Sequence, residues 1–193
     1  MAVAEMQAHA AENLRYIRET MERASAFTAV PGRGGMLVGL TALAAAAASS
    51  RAVTPQAWIG VWLVEAAVAF VILLVAMQRK AARTGASLSS APGRKFILSF
   101  TPAMVAGAVL TVALAGRDAT TLLPALWLCL YGVAVIGAGT YSVGIVPAMG
   151  AGFLVLGGVA AVAPPTWSDA LLATGFGGLH LFCGFLICRR HGG

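Results

Sequence analysis

Apolar residues follow one rhythm at the start of the chain and another afterwards. Val3, Met6, Ala10, Leu14, Ile17, Met21 and Ala24 recur at steps of three and four, the single apolar stripe of an amphipathic helix. Arg15 with Glu19, Arg18 with Glu22 and Glu19 with Arg23 stand four residues apart along it. Each such pair adds about 0.2–0.5 kcal/mol to a helix. Pro31-Gly32-Arg33-Gly34-Gly35 interrupts the pattern. Six nearly unbroken apolar runs follow, near residues 35–50, 57–77, 96–115, 122–139, 144–163 and 170–188. Most reach the roughly 20 residues that a membrane-spanning helix needs. The first is short and alanine-rich, and so is the weakest span. Its AAAAASS end resembles a signal-peptide cleavage region, but the polar leader before it is too long for one, so no cleavage is expected. The pattern predicts a cytoplasmic amphipathic helix over 1–30 and a six-helix transmembrane domain over 31–193. The fold class is an all-α polytopic membrane bundle.

Composition supports that reading. Of 193 residues, 59% are hydrophobic and 10% charged. Soluble domains carry about 25% charged residues, so an ordinary soluble enzyme, a disordered chain and a fibrous repeat are all excluded. The net charge of +6 changes meaning once the basic residues are placed on the spans. Eleven of the 13 Lys and Arg residues fall in the N-terminal segment, the second loop (Arg79, Lys80, Arg83, Arg94, Lys95) or the C-terminus. Only Arg51 and Arg117 fall on the opposite side. Cationic residues collect on the cytoplasmic side, so both termini are expected there. The second-loop basics read first as this topology signal, and secondarily as contacts for anionic lipid headgroups. Trp58, Trp62, Trp127 and Trp167 lie toward the opposite side and read as half of an aromatic belt.

Lipid gives helices no hydrophobic reason to associate, so small residues must let backbones approach. Gly35 and Gly39 with Ala42 and Ala46 supply such a stripe on the first span. Gly107 with Ala103, Thr111 and Ala115 supplies one on the third. Gly177 and Gly184 supply another on the sixth, with His180 between them. Pro102 and Pro147 fall near the starts of their spans, where proline is best tolerated. Ser168 is placed to cap the sixth helix, with Asp169 at its positive end. Short matches such as Pro31-Gly32-Arg33 with Pro92-Gly93-Arg94 hint at internal repetition.

Two ionisable side chains fall deep within apolar runs. Glu65 is eight residues into the second span, roughly 12 Å from its end, and His180 is ten into the sixth, roughly 15 Å deep. An acid at that depth costs about 2.5–3.5 kcal/mol on insertion scales and marks a functional-site hypothesis. Glu65 and His180 are expected to pair or to share one polar pocket, with Tyr131 as a third member. Such a group could lock helices together, couple a proton or ion to transport, or hold a cofactor. A b-type haem fits poorly. His180 is the one histidine within the spans, and Met36, Met77, Met104 and Met149 lie at the wrong depth to be its partner ligand.

No GxSxG, HExxH, P-loop or paired carboxylate motif occurs, so no enzymatic activity is expected. Cys129, Cys183 and Cys188 form no CxxC or Cys/His cluster, so no metal or other cofactor is expected. The basic residues are split among three segments, which argues against nucleic acid. The expected partners are the lipid bilayer and, through residues 1–27, a second copy or another protein. The stretches at 13–21 (NLRYIRETM), 27–35 (FTAVPGRGG), 93–96 (GRKF), 146–149 (VPAM) and 177–193 (GGLHLFCGFLICRRHGG) resemble a group of uncharacterised bacterial membrane proteins with six predicted spans. The resemblance implies a bacterial inner-membrane location and brings no established activity. Together these readings point to a non-enzymatic accessory or sensory protein. The alternative is a small proton- or ion-coupled transporter or channel built on Glu65 and His180.

Overall fold

The computed structural model describes residues 9, 12–17, 28–85 and 89–191. Among these, residues 12–17 are helical, with Leu14 and Ile17 exposed. The rest of the expected N-terminal amphipathic helix lies outside the described residues. All longer elements are helices: α1 (Gly32–Ser49), α2 (Pro55–Thr84), α3 (Ala91–Ala115), α4 (Leu123–Gly139), α5 (Ile145–Val162) and α6. α6 is composite, with α-helix at Ser168–Leu172, a π-helical stretch at Ala173–Leu179 and α-helix again at His180–His191.

Five segments are long and apolar enough to cross a membrane: Pro55–Thr84, Ala91–Ala115, Thr120–Gly139, Ile145–Val162 and Pro165–His191. α1 is not among them. Its glycines and alanines are weakly hydrophobic and Arg33 lies in its first turn. Yet α1 is deeply packed, with Ala42 fully buried and Val38 nearly so, and it runs against both α2 and α6.

The bundle closes along two glycine seams. In the first, a Cβ on Gly39 would lie 2.8 Å from the Gly177 carbonyl, and one on Gly184 would lie 2.7 Å from the Gly32 carbonyl. Only hydrogen fits where α1 and α6 touch backbone to backbone. In the second, Gly132 and Gly150 stand in the same relation between α4 and α5, where a Cβ on either would come within 2.8 Å of backbone. Gly35 sits more loosely in the first seam, where an added Cβ would lie 3.6 Å from Gly184 Cα. On Gly107 of α3 an added Cβ would meet only the end of Leu130, at 3.6 Å.

Polar ties close both ends. At one, Asp169 accepts hydrogen bonds from Ser49 Oγ (2.6 Å) and Trp58 Nε1 (2.8 Å), joining α1, α2 and α6. Ser168 therefore does not cap α6; it is the helix's first residue and makes no capping bond. At the other end Lys80 turns inward and donates to the carbonyls of Val30 (2.9 Å) and His191 (3.1 Å). A cation suits the unpaired carbonyls of a helix C-terminus, so this lysine clasps α2 to the end of α6 and to the segment before α1.

Two further expectations change. Trp58 stacks on Trp127 with centroids 5.4 Å apart, and Trp62 is buried against Phe176. Three of the four tryptophans are thus packing groups inside the bundle, and only Trp167 is strongly exposed. α3 begins at Ala91, ahead of its apolar run, because Ser90 accepts from Gly93 N–H as an N-cap. Pro102 consequently stands in the helix interior, where it removes one backbone donor.

Candidate functional site

The deep polar residues form two separate centres. His180 follows directly on the π-helical stretch, in which Gly175 and Gly177 leave room for neighbours. A Cβ on Gly175 would strike Leu128 at 2.6 Å, and one on Gly177 would strike Leu43 at 2.5 Å. π-helical turns are rare and occur often at functional sites. Here the wider turn leaves Gly177 and Gly184 against α1 while the His180 ring points to α4. Tyr131 Oη and His180 Nε2 lie 2.8 Å apart. Which of the two donates is set by the tautomer of the imidazole, and among the described residues His180 Nδ1 has no hydrogen-bond partner.

Aromatic rings enclose the pair. Phe153 packs on Tyr131 at 4.7 Å and on His180 at 5.5 Å, and Phe176 lies 5.2 Å from both Tyr131 and Phe153. Phe100 meets Tyr131 edge-on at 5.9 Å. One side stays open. α2 packs on α1 and α3 packs on α4, but no comparable packing joins α2 to α3. A cavity of about 210 Å³ occupies the gap. Phe70, Leu74 and Met77 of α2 form one wall, Phe96, Ile97 and Phe100 of α3 the other, and Tyr131 and His180 lie at its floor. Phe70 is 65% exposed and Ile97 44%, so the mouth of the cleft is apolar and uncovered. Met77, Phe96 and Val30 meet over Ala81 and close one end.

Glu65 belongs to the other centre. Its Oε1 lies 2.9 Å from Thr41 Oγ1 on α1. It lines a shallow groove of about 580 Å³ between α1 and α2, with Ala44, Ala48, Gly60 and Val64. Glu65 and His180 do not pair, and neither borders the other's cavity. The expected shared pocket is corrected to two. Equal depth along two helices fixes a common level, but the facing of each side chain is set by how its helix is rotated. Thr41 escaped the sequence reading because a lone threonine in an apolar run has no periodic signal. Phe153 and Phe176 escaped it as ordinary apolar residues.

The enclosed centre is a hydrogen-bonded tyrosine–histidine pair at the bottom of an apolar cleft. No protein-family model, curated protein or solved structure matches the chain. Among the described residues the protein is an all-helical bundle with five helices long and apolar enough to cross a membrane.

Proposed function

We propose that this is a non-enzymatic protein of a bacterial inner membrane that binds a lipophilic molecule from the bilayer in an accessory or sensory role. In this reading α1 is a sixth span, both termini are cytoplasmic, and residues 1–27 contact a partner or a second copy. The observation that carries the proposal is the cleft between α2 and α3, apolar at its mouth and floored by Tyr131 and His180. Drug-sized sites occupy about 300–1,000 Å³. This smaller cavity suits one chain segment whose remainder lies in lipid. The floor offers one small polar centre in an otherwise apolar cleft, so the ligand is an amphiphile with a single small polar head, such as a long-chain alcohol.

A diazirine-bearing long-chain alcohol, photoactivated with the full protein in liposomes, should label Phe70, Met77, Phe96 and Phe100. Excess unlabelled alcohol should suppress that labelling, and Tyr131→Phe should weaken it several-fold. Labelling of the exposed residues Val105 and Val109 should not saturate. Uniform, non-saturable labelling of all faces would sink the binding reading. Reporter fusions after Ser50 and Asp118 should score as external and one after Thr84 as cytoplasmic, which tests the topology on its own.

The transporter reading is favoured by one observation, the midplane carboxyl of Glu65 beside an open groove. It would now rest on Glu65 alone.

A further inference from the structure

We propose that Glu65, Thr41 and the Val38 carbonyl form a proton-binding site presented to the bilayer through the α1–α2 groove. Thr41 Oγ1 lies 2.9 Å from Glu65 Oε1 and 3.0 Å from the Val38 carbonyl. Its hydroxyl has one hydrogen and two neighbouring acceptors, so it cannot donate fully to both. Two arrangements give the hydroxyl hydrogen an acceptor. With Glu65 ionised, the hydroxyl donates to the carboxylate. With Glu65 protonated, the carboxyl donates to Thr41 Oγ1 and the hydroxyl turns to the Val38 carbonyl. The heavy atoms keep their places in both, so gaining or losing the proton requires only rotation of a hydroxyl.

The surroundings restrict the ligand to a proton. The groove is walled by Ala44, Ala45 and Ala48 of α1 and by Gly60, Val64 and Val68 of α2, and no second charged side chain lines it. α1 presents only Thr41 to Glu65. From α6, Phe176 reaches Trp62 of α2, while His180 is turned away to Tyr131. The carboxyl, the hydroxyl and the Val38 carbonyl offer four oxygens between them, fewer than the six or more of a calcium or magnesium site. Glu65 lies ten residues from the start of α2, roughly 15 Å along the helix, and the groove extends from it to Ala48 and Gly60 near the α1–α2 connection.

A lipophilic carbodiimide tests the site. Dicyclohexylcarbodiimide reacts with a protonated carboxyl. The acid proton passes to a carbodiimide nitrogen while the carboxyl oxygen attacks the central carbon. The acyl group then migrates to nitrogen, and every atom of the reagent stays on the side chain. In liposomes containing the full chain, peptide mapping should find the adduct on Glu65. Its rate should fall about tenfold per pH unit once the ionised form dominates. Glu65→Gln should abolish it. Thr41→Val removes the donor that serves the ionised form, so the fall should move to higher pH.

The inference rests on the membrane placement proposed above and not on the cleft ligand. A photoactivatable phospholipid that labels Val64 and Val68 establishes that placement independently. Absence of the Glu65 adduct at every pH despite that labelling would overturn the proton site alone. A pH-independent adduct would overturn it too. Equal modification by a water-soluble carbodiimide would overturn presentation to the bilayer. An unmoved profile in Thr41→Val would remove Thr41 from the site.

Discussion

The two polar centres sit at similar depth on their helices, yet the protein treats them in opposite ways. Tyr131 and His180 are enclosed by Phe153, Phe176 and Phe100 and are hydrogen-bonded to each other. Glu65 has one partner, Thr41, and otherwise faces a groove of small residues. Enclosure makes a hydrogen bond costly to lose, because the orphaned partner cannot reach water. An open groove lowers that cost and leaves the group reactive. The same logic separates structural polarity from exchangeable polarity throughout the bundle. Asp169 and Lys80 each hold two partners at a helix end, whereas Glu65 retains an oxygen that no neighbouring side chain claims.

Substitutions graded from the cage to the groove should expose this contrast. Phe153 is fully buried and touches both members of the enclosed pair. Phe153→Ala should cost about 3–5 kcal/mol of unfolding free energy in mixed detergent micelles. Tyr131→Phe should cost about 1–3 kcal/mol, since it leaves His180 Nε2 buried without its hydrogen-bond partner. A value near zero would mean that the pair is wetter than its cage suggests. Thr41→Val should cost about 1 kcal/mol by the same unfolding measurement, the net worth of an ordinary hydrogen bond. Glu65→Gln keeps a side-chain donor for Thr41 and should change stability by less than about 1 kcal/mol. In the double variant Glu65→Gln with His180→Gln, the separate effects should add to within about 0.5 kcal/mol. A larger coupling energy would reunite the two centres.

The seams invite a parallel comparison. Ala in place of Gly39 or Gly184 meets backbone on the facing helix, whereas Ala at Gly107 meets only the flexible end of Leu130. All three were legible in the sequence as members of small-residue stripes. Their different worth was not, because a stripe marks a helix face and not its occupant. His180 shows the same gap. Counting by α-helical turns put it on the face of Gly177 and Gly184, but the π-helical stretch before it changes the rotation by which side chains advance. Nothing in the residue types of that stretch, apart from its glycines, announced the change. The tryptophans were misread for a related reason. Their level along the spans suggested an interface, while helix rotation put Trp58, Trp62 and Trp127 against each other and the core.

The sequence by itself determined the helical class, the apolar segments and the two residues whose polarity had to be explained. These follow from transfer energetics, which act residue by residue and along each segment: burying a charge in an apolar run is expensive wherever the run packs. Only the tertiary structure decided who meets whom. It gave His180 to Tyr131 and Glu65 to Thr41, left a cleft between two helices adjacent in sequence, and placed α1, which is not among the five candidate spans, deep in the packing. The reason is that partner choice depends on rotation about helix axes and on backbone approach. Those are set jointly by glycine contacts on several helices, and no single stretch of sequence contains them.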